Sequence, residues 1–188
     1  YSQNAQTLKS DIQRFLDNAP SRPIEGNIIG LVVPHAGYVY SGQTAAYAFR
    51  QVQNQDIDVV VVLAPSHRDY FKGATIYPGS AYETPLGKIP INRKLAQQLV
   101  KSSENITFSE LGHRAEHALE VELPFLQVLF AQFSLIPMVI GQTDWESCQD
   151  IGLAIATAVE GKKVLILASS DLYHGESYQE CVKISNET

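Results

Sequence analysis

Residues 56–66, DIDVVVVLAPS, run through four consecutive valines, a leucine and an alanine with no polar residue to mark an outer face. A strand with one face in water alternates apolar and polar residues, whereas a continuous β-branched run belongs to a strand buried on both faces of a parallel sheet. Helices must then cover both sides, because parallel neighbours need crossover connections long enough to hold one. The remaining pattern supplies them. Residues 3–18 place Leu8, Ile12, Phe15 and Leu16 at helical spacing, closed by Pro20 and Pro23, and NIIGLVV reads as the next strand. SGQTAAYAFRQV, from Ser41 to about Val52, predicts a helix with Ser41 as N-cap. GATIYPGSAYETPLGKIPIN predicts short strands around a turn at Pro85-Leu86-Gly87, followed by a helix from Asn92 to Lys101. In EHALEVELPFLQVLF, Pro124 fits a first helical turn, so the helix begins near Val121 and residues 112–120 are irregular. SLIPMVIG and KKVLILASS read as strands on either side of a helix in DWESCQDIGLAIATAVEG, capped by Asp144 and stopped by Gly161. Buried strands alternating with helices predict an α/β fold: a three-layer α/β/α sandwich around a mostly parallel, mixed central sheet. At 188 residues the chain is expected to form one domain, 1–188.

The strand exits carry the chemistry. LVVPH ends on His35, VVLAPSH on His67, and LILASSDLYH on Asp171 and His174. In open α/β sheets ligands bind in the crevice at the carboxyl ends of the strands, so loops distant in sequence can converge on one pocket. A single histidine after a strand is ordinarily a hydrogen-bonded loop residue. Three exits that behave alike predict a shared site. Asp171 alone can also serve as a helix N-cap, and Ser169-Ser170 as turn residues. Tyr38 and Tyr40 fit either core or pocket rim; Tyr38, Ser66 and Glu116 are the candidates for lining the pocket. GYVYSG lacks the spacing of a phosphate-binding loop, which leaves Gly37 and Gly42 to backbone conformation.

A further cluster, HRAEHALE at 113–120, matches the letters of the inverted zinc-peptidase motif, H-x-x-E-H. On a helix His113 and His117 would share a face with Glu116 beside them. Gly112 and Pro124 argue against such a helix, and the favoured role is that His117 and Glu116 reach the strand-end pocket from the side. The net charge of −6 argues against a general affinity for nucleic acid or an anionic membrane. No apolar stretch reaches the roughly 18 residues of a membrane span, and the N-terminal sequence is not that of a secretory signal. Cys148 and Cys181 are too few for a disulfide framework, so the expected setting is the reducing cytoplasm.

PHAGYVYSG, LAPSH, EHALEVELPFL and SSDLYHG, in this order and spacing, resemble the Memo family, whose bacterial and archaeal members are called AmmeMemoRadiSam system protein B. The resemblance runs through essentially the whole chain. It implies an α/β/α fold similar to that of the class III extradiol dioxygenases, non-haem iron enzymes that open catechol rings. It makes His35 and His67 metal-ligand positions for a divalent ion, iron or copper. It places Asp171 and His174 in the same pocket with His117 beside them, and makes His174 the acid/base. It also implies a small-molecule or peptide ligand, and a partner role beside radical-SAM and AMMECR-type proteins in a modification system. By the same resemblance the chain lacks a short N-terminal lead and a C-terminal part of roughly 80 residues. That part carries a Cys-Gly segment whose Cys is the third ligand, and Cys181, in ECVKIS, does not match it. Asp171 is then the anion expected to complete a two-His, one-anion set.

Overall fold

A computed structural model describes residues 1–171, 173 and 175–187; Leu172, His174 and Thr188 lie outside the described residues. The elements in chain order are α1 (Ala5–Asp17), β1 (Gly30–Val33), α2 (Tyr38–Phe49), β2 (Val59–Pro65), β3 (Ala74–Ile76), β4 (Ala81–Thr84), β5 (Gly87–Pro90), α3 (Arg93–Ser102), β6 (Ile106–Phe108), α4 (Leu123–Leu129), β7 (Ser134–Ile140), α5 (Trp145–Val159), β8 (Val164–Ser169) and α6 (Tyr178–Glu187). The central sheet has the order β1-β8-β2-β7-β3-β6, and β4 and β5 form a separate hairpin. β1, β8, β2 and β7 are mutually parallel; β3 runs antiparallel to β7 and parallel to β6.

The valine run of β2 feeds two cores. Val60, Val62 and Ala64 meet α1, α2 and α4 through Leu8, Ile12, Phe49, Phe125 and Leu126. Val59 and Val61 face α3 and α5 through Leu95, Leu99, Ile151 and Ile155. Successive side chains of a strand point to opposite faces, so a strand with a helical layer on each side has no position left for a polar residue. The three-layer, mixed-sheet α/β architecture follows.

Two elements depart from the sequence pattern. α2 begins at Tyr38, with Gly37 as N-cap, and Ser41 is not the cap: its Oγ donates to the Ala36 carbonyl, 3.0 Å away. Gly37 makes no side-chain capping bond, so the true start carries no capping signal. The strand in NIIGLVV is confined to Gly30–Val33. Elsewhere Asn92 and Asp144 cap α3 and α5 through their side chains. Pro124 sits in the first turn of α4, where its missing N–H costs no helical bond. Gly42 is required by a close approach: a Cβ there would meet the Phe15 ring of α1 at 2.8 Å.

Among the described residues no helix is long and apolar enough to cross a membrane.

Candidate functional site

Strand order brings the predicted residues together. β8 lies between β1 and β2, and Val33 pairs with Ser169 at the ends of β1 and β8. His35 and Asp171, each two residues beyond that pair, therefore leave the sheet side by side. The His35 backbone N–H donates to Asp171 Oδ1 at 3.3 Å, and His35 Nε2 lies 3.6 Å from Asp171 Oδ2. β2 delivers His67 to the same rim, where the ring centres of His35 and His67 are 5.2 Å apart. His117 stacks on His67, with ring centres 6.2 Å apart and planes 19° from parallel.

The carboxylate of Glu116 ties this rim together. It accepts from the backbone N–H of His67 at 2.6 Å, of His117 at 2.8 Å and of Ala118 at 2.9 Å. It also lies 3.2 Å from His67 Nδ1. Burial alone would push its pKa up, but the hydrogen bonds from His67, Ala118 and His117 prevail and hold the carboxyl below the usual range. An ionised carboxylate only accepts, so Nδ1 of His67 is the donor in this contact.

His35 is buried, at 6% exposure, and its Nδ1 lies 3.1 Å from Ser169 Oγ. Its pKa is lowered, chiefly by burial, with Asp171 pulling the other way. Neutral imidazole is the form that binds a metal. Behind it, Ser169 Oγ contacts the Ala118 carbonyl at 2.7 Å and Glu122 Oε1 at 2.8 Å. Glu122 is almost completely buried, and burial pushes its pKa well up; the contact with Ser169 pulls the other way and the charge of Asp171 adds to the rise.

Tyr38 is buried among Tyr1, Phe15 and Phe125, and its hydroxyl donates to the Val121 carbonyl at 2.7 Å. Ser66 Oγ donates to the Asp69 carbonyl at 2.7 Å and shapes the turn after β2 that carries His67. His174 lies outside the described residues.

HRAEH does not form the helix that the zinc-peptidase motif needs: residues 111–119 are turns and irregular chain. His113 is turned away from His117, towards Tyr82 and Thr75. The pairing of His113 and His117 on one helical face is therefore not formed. Ser169 and Glu122 were not singled out as site residues from sequence. The available signal was Glu122 itself, a carboxylate standing in the apolar run VELPFL.

The fit of a divalent ion can be tested on these distances. Two imidazoles bound to one ion through bonds of about 2.1 Å set their ring centres roughly 4.6–5.3 Å apart for octahedral to tetrahedral angles. The 5.2 Å between His35 and His67 falls in that interval. Both rings have Nδ1 engaged by an oxygen, the outer support usual for ligating histidines. Among the described residues, however, no group of three His, Cys, Asp or Glu side chains is arranged to hold a metal.

The family model for the Memo-like protein matches residues 1–187. The chain belongs to the Memo family. Its relatives include a MEMO1 family protein of Thermoplasma volcanium, 37% identical over 177 residues, with 94% of this chain and 64% of the relative covered. One of Thermoplasma acidophilum is 38% identical over 165 residues, covering 87% of this chain and 61% of the relative. One of Methanosarcina barkeri is 36% identical over 190 residues, covering 100% of this chain and 69% of the relative. The chain thus spans under two thirds of the length of the two Thermoplasma proteins. Memo membership accords with the order in which PHAGY, PSH, EHALE and SSD meet at one rim of the sheet.

Proposed function

We propose that the rim where β1, β8 and β2 end is a divalent-metal centre for iron or copper, with His35 and His67 as ligands, serving a redox or dioxygenase-like reaction on a small molecule. The observation that carries the reading is the 5.2 Å spacing of two imidazoles whose Nδ1 atoms are both held from behind. Asp171, whose Oδ2 lies 3.6 Å from His35 Nε2, is assigned as the anion of a two-His, one-carboxylate set, which its side chain would have to shift to complete. The ion would supply Lewis-acid and redox chemistry at the open positions of such a set. The chain's own residues orient and transfer protons. Glu116 fixes His67, Ser169 supports His35, and His117, with its side chain 57% exposed beside His67, is accessible to donate or accept a proton at the mouth of the crevice. His174 is assigned the acid/base role on the family resemblance.

A second reading is a binding module that uses the same crevice for a peptide or small ligand, as a partner of radical-SAM and AMMECR-type proteins. Metal analysis separates the two. Iron or copper bound by the purified chain and lost in both His35→Ala and His67→Ala is the result expected of a metal centre. Failure of the folded chain to take up either ion, with ligand binding still lost in those variants, would select the binding module.

A further inference from the structure

The side chain of Ser169 has one proton and three polar neighbours. Its Oγ lies 2.7 Å from the Ala118 carbonyl, 2.8 Å from Glu122 Oε1 and 3.1 Å from His35 Nδ1. All three are hydrogen-bond distances, and Ser169 is itself buried, so water does not replace any of them. A hydroxyl offers one donor and two lone pairs. The peptide carbonyl of Ala118 can only accept, so the serine proton belongs to it. Glu122 and His35 must then both donate to the oxygen. An ionised Glu122 would set two lone pairs against each other at 2.8 Å in a buried site, which is a costly arrangement.

We propose that Glu122 is a positioning residue: a neutral carboxylic acid that donates to Ser169 and thereby holds His35 as the Nδ1–H tautomer, with its Nε2 lone pair presented to the crevice. The functional consequence rests on the reading of His35 as a ligand; the proton arrangement itself does not. The same tautomer arises on His67 by a different device, the ionised Glu116 at 3.2 Å from its Nδ1. Two carboxyl groups in opposite protonation states thus present two imidazoles in the same form. Their surroundings explain the difference. Glu116 accepts three backbone N–H bonds that stabilise its charge. The contact of Glu122 with Ser169 instead joins an apolar segment in which Val121, Leu123 and Phe125 are buried.

The test uses the metal-free 188-residue chain. Imidazole nitrogen shifts report the tautomer of each histidine, and the infrared carbonyl stretch of a protonated carboxyl group reports Glu122. At about pH 7 the folded chain is expected to show a carboxylic-acid band that disappears in Glu122→Gln, since model carboxylates ionise near pH 4. Glu122→Gln places an amide N–H where the acid proton stood, so His35 is expected to remain the Nδ1–H tautomer. Ser169→Ala removes the acceptor and is expected to shift His35 to a mixture of tautomers while leaving His67 unchanged. The His35 tautomer is read on the wild-type chain alone and needs no variant to fold. A His35 that carries its proton on Nε2, or a folded chain whose infrared spectrum contains no acid band removed by Glu122→Gln, would overturn the proposal. If the tautomer is as stated, Ser169→Ala should also weaken metal binding by about 10- to 100-fold, the range for losing an outer partner. A correct tautomer with no metal uptake at all would contradict the metal centre and leave the role of Glu122 standing.

Discussion

His113 and His117 belong to one short motif and differ little on the page, yet they end in opposite environments. His113 is enclosed beside β3 and the β4–β5 hairpin. Tyr82 is 2.5 Å from its Nδ1, Thr75 is 3.3 Å from its Nε2 through both Oγ1 and the carbonyl, and Tyr77 packs on the ring with centres 5.7 Å apart. Each ring nitrogen is engaged by the protein. Burial pushes its pKa down to about 4, so it is neutral under ordinary conditions and stays so. His117, by contrast, projects from the loop clamped by Glu116, stacks on His67 and keeps most of its ring in solvent. The first histidine is enclosed by the hairpin, and the second stands exposed at the rim of the sheet beside His67, which in turn neighbours His35. A histidine whose two ring nitrogens are both engaged inside the protein, as in His113, is left with neither for a ligand.

The comparison breaks most sharply in metal affinity. His35→Ala or His67→Ala should weaken binding of iron or copper by more than the about 100-fold typical of outer partners, upward of about 3 kcal/mol, with His113→Ala within about threefold of wild type. Equilibrium dialysis of the three variants measures this directly, and an equal loss in His113→Ala would erase the distinction. A comparable effect lies in the acid stability of the closed cluster. The folded pKa of His113 is below its unfolded value, so the unfolded chain binds the extra proton and stability falls as pH drops from about 6.5 to about 4. The loss over that window is about 3 kcal/mol. Urea unfolding of wild type and His113→Phe across this range should show a pH slope in the first that is reduced in the second.

Smaller effects sharpen the picture. Glu116→Gln keeps the shape of the clamp and removes its charge; we expect metal affinity to fall about tenfold and the His67 tautomer to become mixed, read by calorimetry and nitrogen shifts. Because the folded pKa of Glu116 is depressed, the stability that it contributes is present at neutral pH and is lost as pH falls through that value. Smallest is Tyr82→Phe, which leaves His113 Nδ1 without its donor. It should cost about 1–2 kcal/mol in denaturant titrations and raise the pKa of His113, without changing metal affinity.

The legibility of these features follows from what determines each. The layers around β2 could be read because burial on both faces leaves only apolar residues in Val59–Leu63. The convergence of His35, His67 and Asp171 could be inferred from three similar strand exits, although the strand order β1-β8-β2 that creates it is set by long-range pairing. The short edge strand β6 carries only Ile106, Thr107 and Phe108, too few for a periodic signal. The start of α2 is not legible in the sequence because its glycine cap has no side chain to announce it. Ser169 reads as a turn residue and Glu122 as part of a helical run, since their meeting brings the residue before α4 to the end of β8 across 47 positions of sequence. His113 and His117 could be told apart only once the hairpin that supplies Tyr82 was in place.

The most direct measurement is a titration of the chain with a paramagnetic divalent ion, followed through the imidazole signals of its histidines. The account predicts that His35 and His67 broaden together at the lowest ion concentrations, that His117 follows, and that His113 stays sharp to the end. Independent broadening of His35 and His67 at different concentrations, or a response led by His113, would contradict it.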